Sequence, residues 1–188
     1  MRCFVAATFD DPTRERLERL LRSAPTAGLP VRWVRREGLH ATLAFLGEIP
    51  AERADLAGRA MQAAARGHGP IPVGVGGVGG FPSARAARVV WVGVSDPTER
   101  LAAVQAALAH GLSAAGFALD DRAFHPHVTL GRVREGKVAV ERCAARLPEV
   151  DAAPAPGYVM AVTLFQSDLG AGGSVYTPLA TVSLGGTP

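Results

Sequence analysis

The chain has 188 residues, of which 48% are hydrophobic and 20% are charged, with 20 Lys and Arg against 17 Asp and Glu. This length allows one large domain or two small lobes with a sizeable core, and the composition excludes an intrinsically disordered chain. We also expect no membrane-spanning helix, because no stretch approaches the ~18 uninterrupted apolar residues that such a helix needs.

The start of the chain and its cysteines indicate where the protein works. Residues 1–10 are basic and then apolar, but the apolar run is too short for a signal peptide and predicts a first strand instead. Cys3 and Cys143 are the only cysteines and have no metal-like spacing, which favours two buried, reduced thiols over a disulfide. We therefore expect a cytoplasmic monomer that does not bind a membrane.

The positive charge is almost entirely arginine, since Lys137 is the only lysine. The planar guanidinium group can donate two parallel hydrogen bonds to a phosphate. An abundance of Ala, Gly and Arg also fits a genome rich in G and C. The charge is thus compatible with an RNA partner but does not identify one.

Hydrophobic periodicity predicts alternating strands and helices along the first half of the chain. The first is a strand at residues 2–9, followed by a helix from Asp11 with Leu17, Leu20 and Leu21 on one face. A loop at residues 25–30 leads to a short strand at 31–34 and a strand at 39–47. A second helix opens at 49–52, carries Leu56, Ala60 and Ala64, and ends at Gly67.

The second half repeats this mixture. It begins with a Val- and Gly-rich segment at residues 71–80 that turns at 81–83, followed by a strand at 88–94. A helix then starts at 96–99, carries Leu101, Val104, Leu108 and Leu112, and closes at Gly116. The remaining elements are a strand at 124–132, a weaker helix at 138–146, and two strands at 158–166 and 174–182 joined by the Gly-rich turn at 170–173. Hairpin-like connections outnumber βαβ crossovers, which predicts an α+β fold rather than a doubly wound parallel sheet.

One short polar motif occurs twice. His40-Ala41-Thr42-Leu43 is echoed by His127-Val128-Thr129-Leu130, and each copy is followed by a glycine within a few positions. Because alternate strand residues share a face, the His and Thr of each copy project together, and the apolar residues, with Phe45 among them, project into a core. Two such strands across a cleft would place two imidazoles and two hydroxyls on one small ligand.

This set of groups suits the opening of a cyclic phosphodiester by water. The reaction needs a base for the nucleophile and an acid for the departing oxygen, and imidazole can serve as either near neutral pH. Hydroxyl donors aimed at the phosphoryl oxygens would lower the barrier. Arg132 could add a charge-assisted donor. Strict alternation points Arg132 away from His127, however, so it contributes only if the strand ends or bulges after Gly131.

The two His-x-Thr motifs resemble those of the two-histidine (2H) phosphoesterase superfamily, and in particular its RNA 2′,3′-cyclic phosphodiesterase family, also known as the 2′-5′ RNA ligase family. The likeness extends over nearly the whole chain. It includes the segments Phe4-Val5-Ala6, Arg32-Trp33-Val34, Phe81-Pro82-Ser83, Arg88-Val89-Val90-Trp91-Val92-Gly93, His125 to Arg132, and Leu164 to Leu169 with Gly173 and Tyr176.

The resemblance implies one 2H phosphoesterase domain over residues 1–188, with two pseudo-symmetric antiparallel sheets, outer helices, a central cleft and one His-x-Thr strand from each lobe. It implies hydrolysis of a terminal 2′,3′-cyclic phosphate to a 2′-phosphate without a metal or other cofactor, together with reversible 2′-5′ RNA ligation. The partner would be RNA with such ends, or small cyclic nucleotides. His40 would be the acid that protonates O3′ and His127 the base that activates water. The phosphate would be held by Thr42, Thr129 and Arg132.

Three alternatives follow from other features. The run Gly74-Val75-Gly76-Gly77-Val78-Gly79 matches a dinucleotide-binding pattern, but it leads into a turn and a strand where that pattern requires a helix. His125 and His127, two residues apart on a strand, could bind zinc together with His40, which would make the protein a zinc-dependent hydrolase. A non-catalytic module that binds RNA ends would keep the same pocket without turnover.

Overall fold

The computed structural model describes residues 1–24, 28–147, 153–170 and 173–185. The predicted loop at 25–30 and the predicted turn at 170–173 therefore lie partly outside the described residues. In chain order the elements are β1 (Arg2–Phe9), α1 (Asp11–Ser23), β2 (Val31–Trp33), β3 (Ala41–Glu48), α2 (Ala54–Ala65), β4 (Ile71–Phe81), β5 (Val89–Ser95), α3 (Arg100–Ala114), β6 (His127–Val133), α4 (Val140–Ala144), β7 (Ala155–Gly170) and β8 (Gly173–Ser183).

The eight strands form one sheet in the order β1-β3-β6-β5-β4-β7-β8, with β2 paired to β6. β1 also pairs with β7, so six strands form a closed circuit of pairings. Each pairing between the named strands is antiparallel. Helices and antiparallel strands in this arrangement confirm the predicted α+β class, whereas the division into two lobes stays a prediction.

The main hydrophobic core lies between the sheet and the helices. The stripe on α3 is fully buried, as its spacing predicts, and Ala57 and Met61 of α2 are buried as well. Ala41, Val128 and Leu130 are 0% exposed and belong to the same core. Burial of each large side chain contributes about 1.5–3 kcal/mol, so this face of β3 and β6 is strongly fixed.

Several predicted element ends move because of specific contacts. α3 begins at Arg100 rather than at Asp96, whose carboxylate instead accepts hydrogen bonds from the Ala102 N–H (2.9 Å) and the Thr98 hydroxyl (3.3 Å). α4 is shorter than predicted because Val138 pairs with Ala87 as a β-bridge and is unavailable to the helix.

The strands at the end of the chain are longer than their apolar patterns indicate, and the glycine-rich run forms a paired strand. β7 and β8 pair from Ala161 with Ser183 to Gly170 with Gly173, well past the predicted end at residue 166. The glycine run lies inside β4 and is paired with β5, so it opens no helix and has no dinucleotide-binding geometry.

Cys3 and Cys143 are buried free thiols, as the cysteine count predicts, and burial raises the pKa of both. Among the described residues, no helix is long and apolar enough to cross a membrane.

Candidate active site

β3 and β6 meet at a single antiparallel pair, Ala41 with Val128. Both side chains are 0% exposed and point into the core. The residues on either side of this pair therefore point to the opposite face of the sheet, away from the core. The two motif strands are thus direct neighbours, which differs from the expectation of strands that oppose each other across a cleft.

The antiparallel direction places each histidine beside the threonine of the other motif. His40 lies next to Thr129, and Thr42 lies next to His127, since the chains run in opposite directions from the central pair. All four side chains keep partial solvent exposure. His40 is the residue immediately before β3, which begins at Ala41.

A β-bulge decides the direction of Arg132. Thr129 pairs with Trp91 and Gly131 pairs with Val90, which leaves Leu130 as an extra residue in β6. The alternation shifts by one position, and Arg132 comes onto the face of His127 and Thr129. Sequence alternation predicts this direction only with an end or a bulge after Gly131, whereas the structure has the bulge before it, at Leu130.

A similar shift corrects the prediction that Phe45 lies in the core. β1 pairs Ala6 with Thr42 but Val5 with Ala44, so Leu43 is the extra residue in β3. Ala44 is consequently buried, while Phe45 is 54% exposed and lies on the face of the histidines.

Aromatic rings surround the His40 imidazole. The ring centroid of Phe4 lies 4.8 Å away, that of Phe165 lies 5.5 Å away and nearly parallel, and that of Tyr176 lies 5.3 Å away and edge-on. Phe4 is 4% exposed yet belongs to neither of the two apolar core clusters, because its ring packs on this polar face.

Burial lowers the pKa of His40 to about 4, because the low-dielectric surroundings disfavour the imidazolium. The backbone carbonyl of Glu37 acts in the opposite direction and raises this pKa, while the charge of His127 lowers it further. That carbonyl oxygen is 3.4 Å from His40 Nδ1.

The His127 imidazole has a different environment. Its Nδ1–H donates a hydrogen bond of 2.6 Å to the His125 carbonyl, which leaves Nε2 free to accept or donate a proton. Phe81 approaches edge-on at 5.0 Å, and Trp91 lies at 5.8 Å. Burial lowers the pKa of His127, the His125 carbonyl opposes this effect, and the charge of the His125 ring lowers the pKa further.

The absence of a side chain at Gly79 leaves room for the Trp91 ring. A Cβ at Gly79 would overlap the indole, so the ring lies directly against the backbone of β4. Trp91 Nε1 is buried and has no hydrogen-bond partner among the described residues. The ring is therefore held by packing, and it supports one side of His127.

The sequence interpretation assigned no site role to these aromatic residues. Six of the eleven aromatic side chains lie around the two histidines, on the polar face of the sheet. They are Phe4, Phe45, Phe81, Trp91, Phe165 and Tyr176. The low aromatic content of the sequence, 6% of all residues, could have indicated a site role for these rings. A chain that fills its core with aliphatic residues has little structural need for aromatic rings at strand positions.

The arrangement required for a three-histidine zinc site is not formed. His125 precedes β6, is exposed, and contacts His127 through its backbone carbonyl. Across residues 1–24, 28–147, 153–170 and 173–185, no group of three or more His, Cys, Asp or Glu side chains is placed to hold a metal ion. The prediction that His125 and His127 share a strand face is wrong, since only His127 is in the strand.

Comparison with known proteins shows the family. The model of the 2′-5′ RNA ligase superfamily matches residues 9–171, and the chain belongs to this family. A curated relative from Methanothermobacter thermautotrophicus, named RNA 2′,3′-cyclic phosphodiesterase, is 30% identical over 98% of this chain and 99% of its own length. A relative of the same name from Escherichia coli is 32% identical over 82% of this chain and 79% of its own.

Solved structures show the same fold. A crystal structure from Thermus thermophilus matches with a TM-score of 0.78 and 26% identity, covering 98% of each chain. The crystal structure of Escherichia coli LigT complexed with 3′-AMP matches with a TM-score of 0.75 and 28% identity, also covering 98% of each chain.

Proposed function

We propose that this protein is an RNA 2′,3′-cyclic phosphodiesterase that hydrolyses a terminal 2′,3′-cyclic phosphate to a 2′-phosphate without a metal ion. The observation that carries the proposal is the placement of two imidazoles, two threonines and Arg132 on one face of the sheet. The names of the relatives that match most of the chain support the same activity.

His127 is the general base in this mechanism. Its Nδ1–H is occupied by the His125 carbonyl, so the neutral ring presents the lone pair of Nε2. Nε2 takes a proton from water as the water oxygen bonds to phosphorus. The P–O3′ bond breaks, and His40 protonates O3′, which leaves the phosphate on the 2′ oxygen.

The proton on His40 is coupled to substrate binding. A pKa of about 4 leaves this imidazole neutral in the free protein at pH 7. The cyclic phosphate carries a negative charge, and a negative charge close to the ring favours the imidazolium and raises its pKa. The aromatic rings around His40 exclude part of the surrounding water, which strengthens this attraction.

Thr42, Thr129 and Arg132 hold the phosphate. Each threonine hydroxyl can donate to a non-bridging oxygen, where charge accumulates as water attacks. Arg132 adds a charged donor from the same face, because of the bulge at Leu130. The lobes predicted from the two motifs would each contribute one His-Thr pair to this phosphate.

The same groups can perform 2′-5′ RNA ligation. If the 5′-hydroxyl of a second RNA replaces water, His127 deprotonates that hydroxyl and His40 protonates O3′, and a 2′-5′ linkage results. Hydrolysis and ligation therefore differ only in the nucleophile.

The direct test is incubation with an RNA that ends in a 2′,3′-cyclic phosphate, in the presence of a chelator, with identification of the product. We expect a 2′-phosphate and no change of rate on chelation. RNA ending in a 3′-hydroxyl is the control. A 3′-phosphate product would reverse the orientation of the ester between the histidines, and tight binding without turnover would replace the enzyme with an RNA-end binding module.

A further inference from the structure

A basic groove adjoins the phosphate side of the candidate site. A depression of about 320 Å³ is lined by Arg32, Arg132, Val133 and Arg134. A second depression of about 480 Å³ is lined by Arg88, Val133, Arg134, Gly136 and Lys137. The two share Val133 and Arg134 and are therefore adjacent. We call the surface formed by the five cationic side chains, Arg32, Arg88, Arg132, Arg134 and Lys137, the basic groove.

The groove starts at the candidate site. The β2–β6 pairing places Arg32 directly opposite Arg132. Arg132 shares a face with His127 because of the bulge at Leu130. Beyond Arg132, the chain leaves β6 through Arg134 and reaches Lys137, the only lysine of the protein. The groove thus leads away from the histidines along the end of β6.

The charge of the groove is not neutralised by the described part of the chain. All five cationic side chains are exposed, and none forms an ion pair with an acidic group in residues 1–24, 28–147, 153–170 or 173–185. Arginines elsewhere do have such partners, as Arg14 does with Asp11 and Arg122 does with Asp120. Like charges placed side by side repel each other, so their clustering favours an anionic ligand that spans several of them.

A chain of phosphodiesters fits this arrangement better than one phosphate does. In the proposed mechanism Arg132 holds the reacting phosphate, while Arg88, Arg134 and Lys137 line the adjacent depression. A cyclic phosphate is the 3′ end of an RNA, so the rest of the chain must leave the site on its 5′ side. Arginine is suited to phosphate through paired donors, and lysine acts as a point charge.

We infer that the basic groove binds the phosphodiester backbone of RNA on the 5′ side of the cyclic end, so that oligoribonucleotides are preferred over mononucleoside 2′,3′-cyclic phosphates. This inference rests on the proposed function and adds the surface that binds the RNA chain beyond its cyclic end. It assigns a binding role to Arg88, Arg134 and Lys137, which take no part in the chemistry at phosphorus.

The test compares two substrates at several salt concentrations: a tetraribonucleotide ending in a 2′,3′-cyclic phosphate, and adenosine 2′,3′-cyclic phosphate. We expect the wild type to show at least a tenfold higher kcat/KM for the oligonucleotide. Arg134→Gln and Lys137→Gln should each reduce this value about threefold to tenfold, mainly through KM. The slope of log kcat/KM against log salt should become less steep by about 0.7 for each RNA phosphate that the variant no longer binds.

The mononucleotide and a distant arginine provide the controls. Both variants should turn over the mononucleotide within about twofold of the wild type, since the groove lies beyond the reacting phosphate. Arg59→Gln removes the same charge from an exposed position of α2 and should change neither substrate. Equal kcat/KM for the two substrates, or equal losses on both in the groove variants, would overturn the inference and leave the proposed function intact.

Binding measurements distinguish a failure of the proposed function from a failure of the groove inference. If the wild type hydrolyses neither substrate, the proposed function is wrong, and the groove is then tested by affinity for a tetraribonucleotide that ends in a 2′-phosphate. A Kd that is unchanged by Arg134→Gln and Lys137→Gln, or equal to that of adenosine 2′-phosphate, rejects the groove. A weaker Kd with a smaller salt slope in both variants supports it.

Discussion

The two histidines have matching motifs but different surroundings. His40 is packed among Phe4, Phe165 and Tyr176, and its Nδ1 has only a long contact of 3.4 Å with a carbonyl. His127 has a hydrogen bond of 2.6 Å from Nδ1 and is approached by rings from the side. Packing therefore fixes the orientation of His40, whereas a hydrogen bond fixes both the orientation and the tautomer of His127.

This difference gives a physical basis for different roles. A ring with a fixed Nδ1–H keeps its Nε2 lone pair aimed in one direction, as a base requires. A ring enclosed by aromatic side chains responds strongly to a nearby anion, because its charge is poorly solvated. In the proposed mechanism such a ring gains its proton when the phosphate binds, as an acid for O3′ requires.

The largest expected effect comes from removal of either ring. His40→Ala and His127→Ala should each lower kcat/KM by about 10²–10⁴, the usual contribution of a general acid or base. The remaining pH dependence distinguishes the roles. Without the base, the rate should only fall as the pH rises, and without the acid it should only rise. If the His40 variant shows the falling profile, the two roles are exchanged.

Removal of either threonine hydroxyl should cost somewhat less. Thr42→Val and Thr129→Val keep the shape and the strand preference and remove one donor, which lowers the rate by about 10²–10³ where the donor acts on the transition state. Thermal unfolding should be little changed, because both side chains lie on the face opposite the core. Full activity in both variants would show that the hydroxyls do not face the phosphate.

The lowered pKa values of both imidazoles predict an acidic optimum for the free protein. Since kcat/KM reports free-enzyme groups, its maximum should lie between about 4, the pKa of His40, and the pKa of His127, which is below its usual 6.5. Above the pKa of His127, kcat/KM should fall about tenfold per pH unit, because the proton of His40 is lost. The bound phosphate raises both pKa values, so the kcat profile should lie at higher pH. A kcat/KM that still increases up to pH 9 would contradict this prediction.

Gly79→Ala should affect the two histidines unequally. The new Cβ overlaps the Trp91 indole, and the displaced ring disturbs His127, so we expect about a tenfold loss of kcat. NMR titration should show an altered pKa for His127 and an unchanged pKa for His40. Gly58→Ala is the matched control, since its Cβ meets no atom within 4 Å. Equal shifts at both histidines would indicate a general loss of packing.

How much of this site the sequence predicts depends on how local each feature is. The two His-Thr pairs follow from a motif of four residues, and the buried stripe of α3 follows from its own spacing. The direction of Arg132 depends on a bulge opposite β5, and that of Phe45 on a bulge opposite β1. No local pattern specifies such registers. The aromatic surroundings of His40 likewise need β1, β7 and β8 to come together.

The smallest effect is expected at His125, and it separates the two-histidine mechanism from a zinc site. His125 supplies its backbone carbonyl to His127 Nδ1, and alanine supplies the same carbonyl. His125→Ala should therefore keep kcat/KM within about tenfold, or roughly 1.4 kcal/mol of barrier. Loss of the nearby charged ring should raise the pKa of His127 and move its limb of the pH profile upward. Chelation and elemental analysis of the wild type give the independent check. Activity that is lost on chelation, restored by zinc and abolished by His125→Ala would favour a metal site, because such a site needs a third protein ligand.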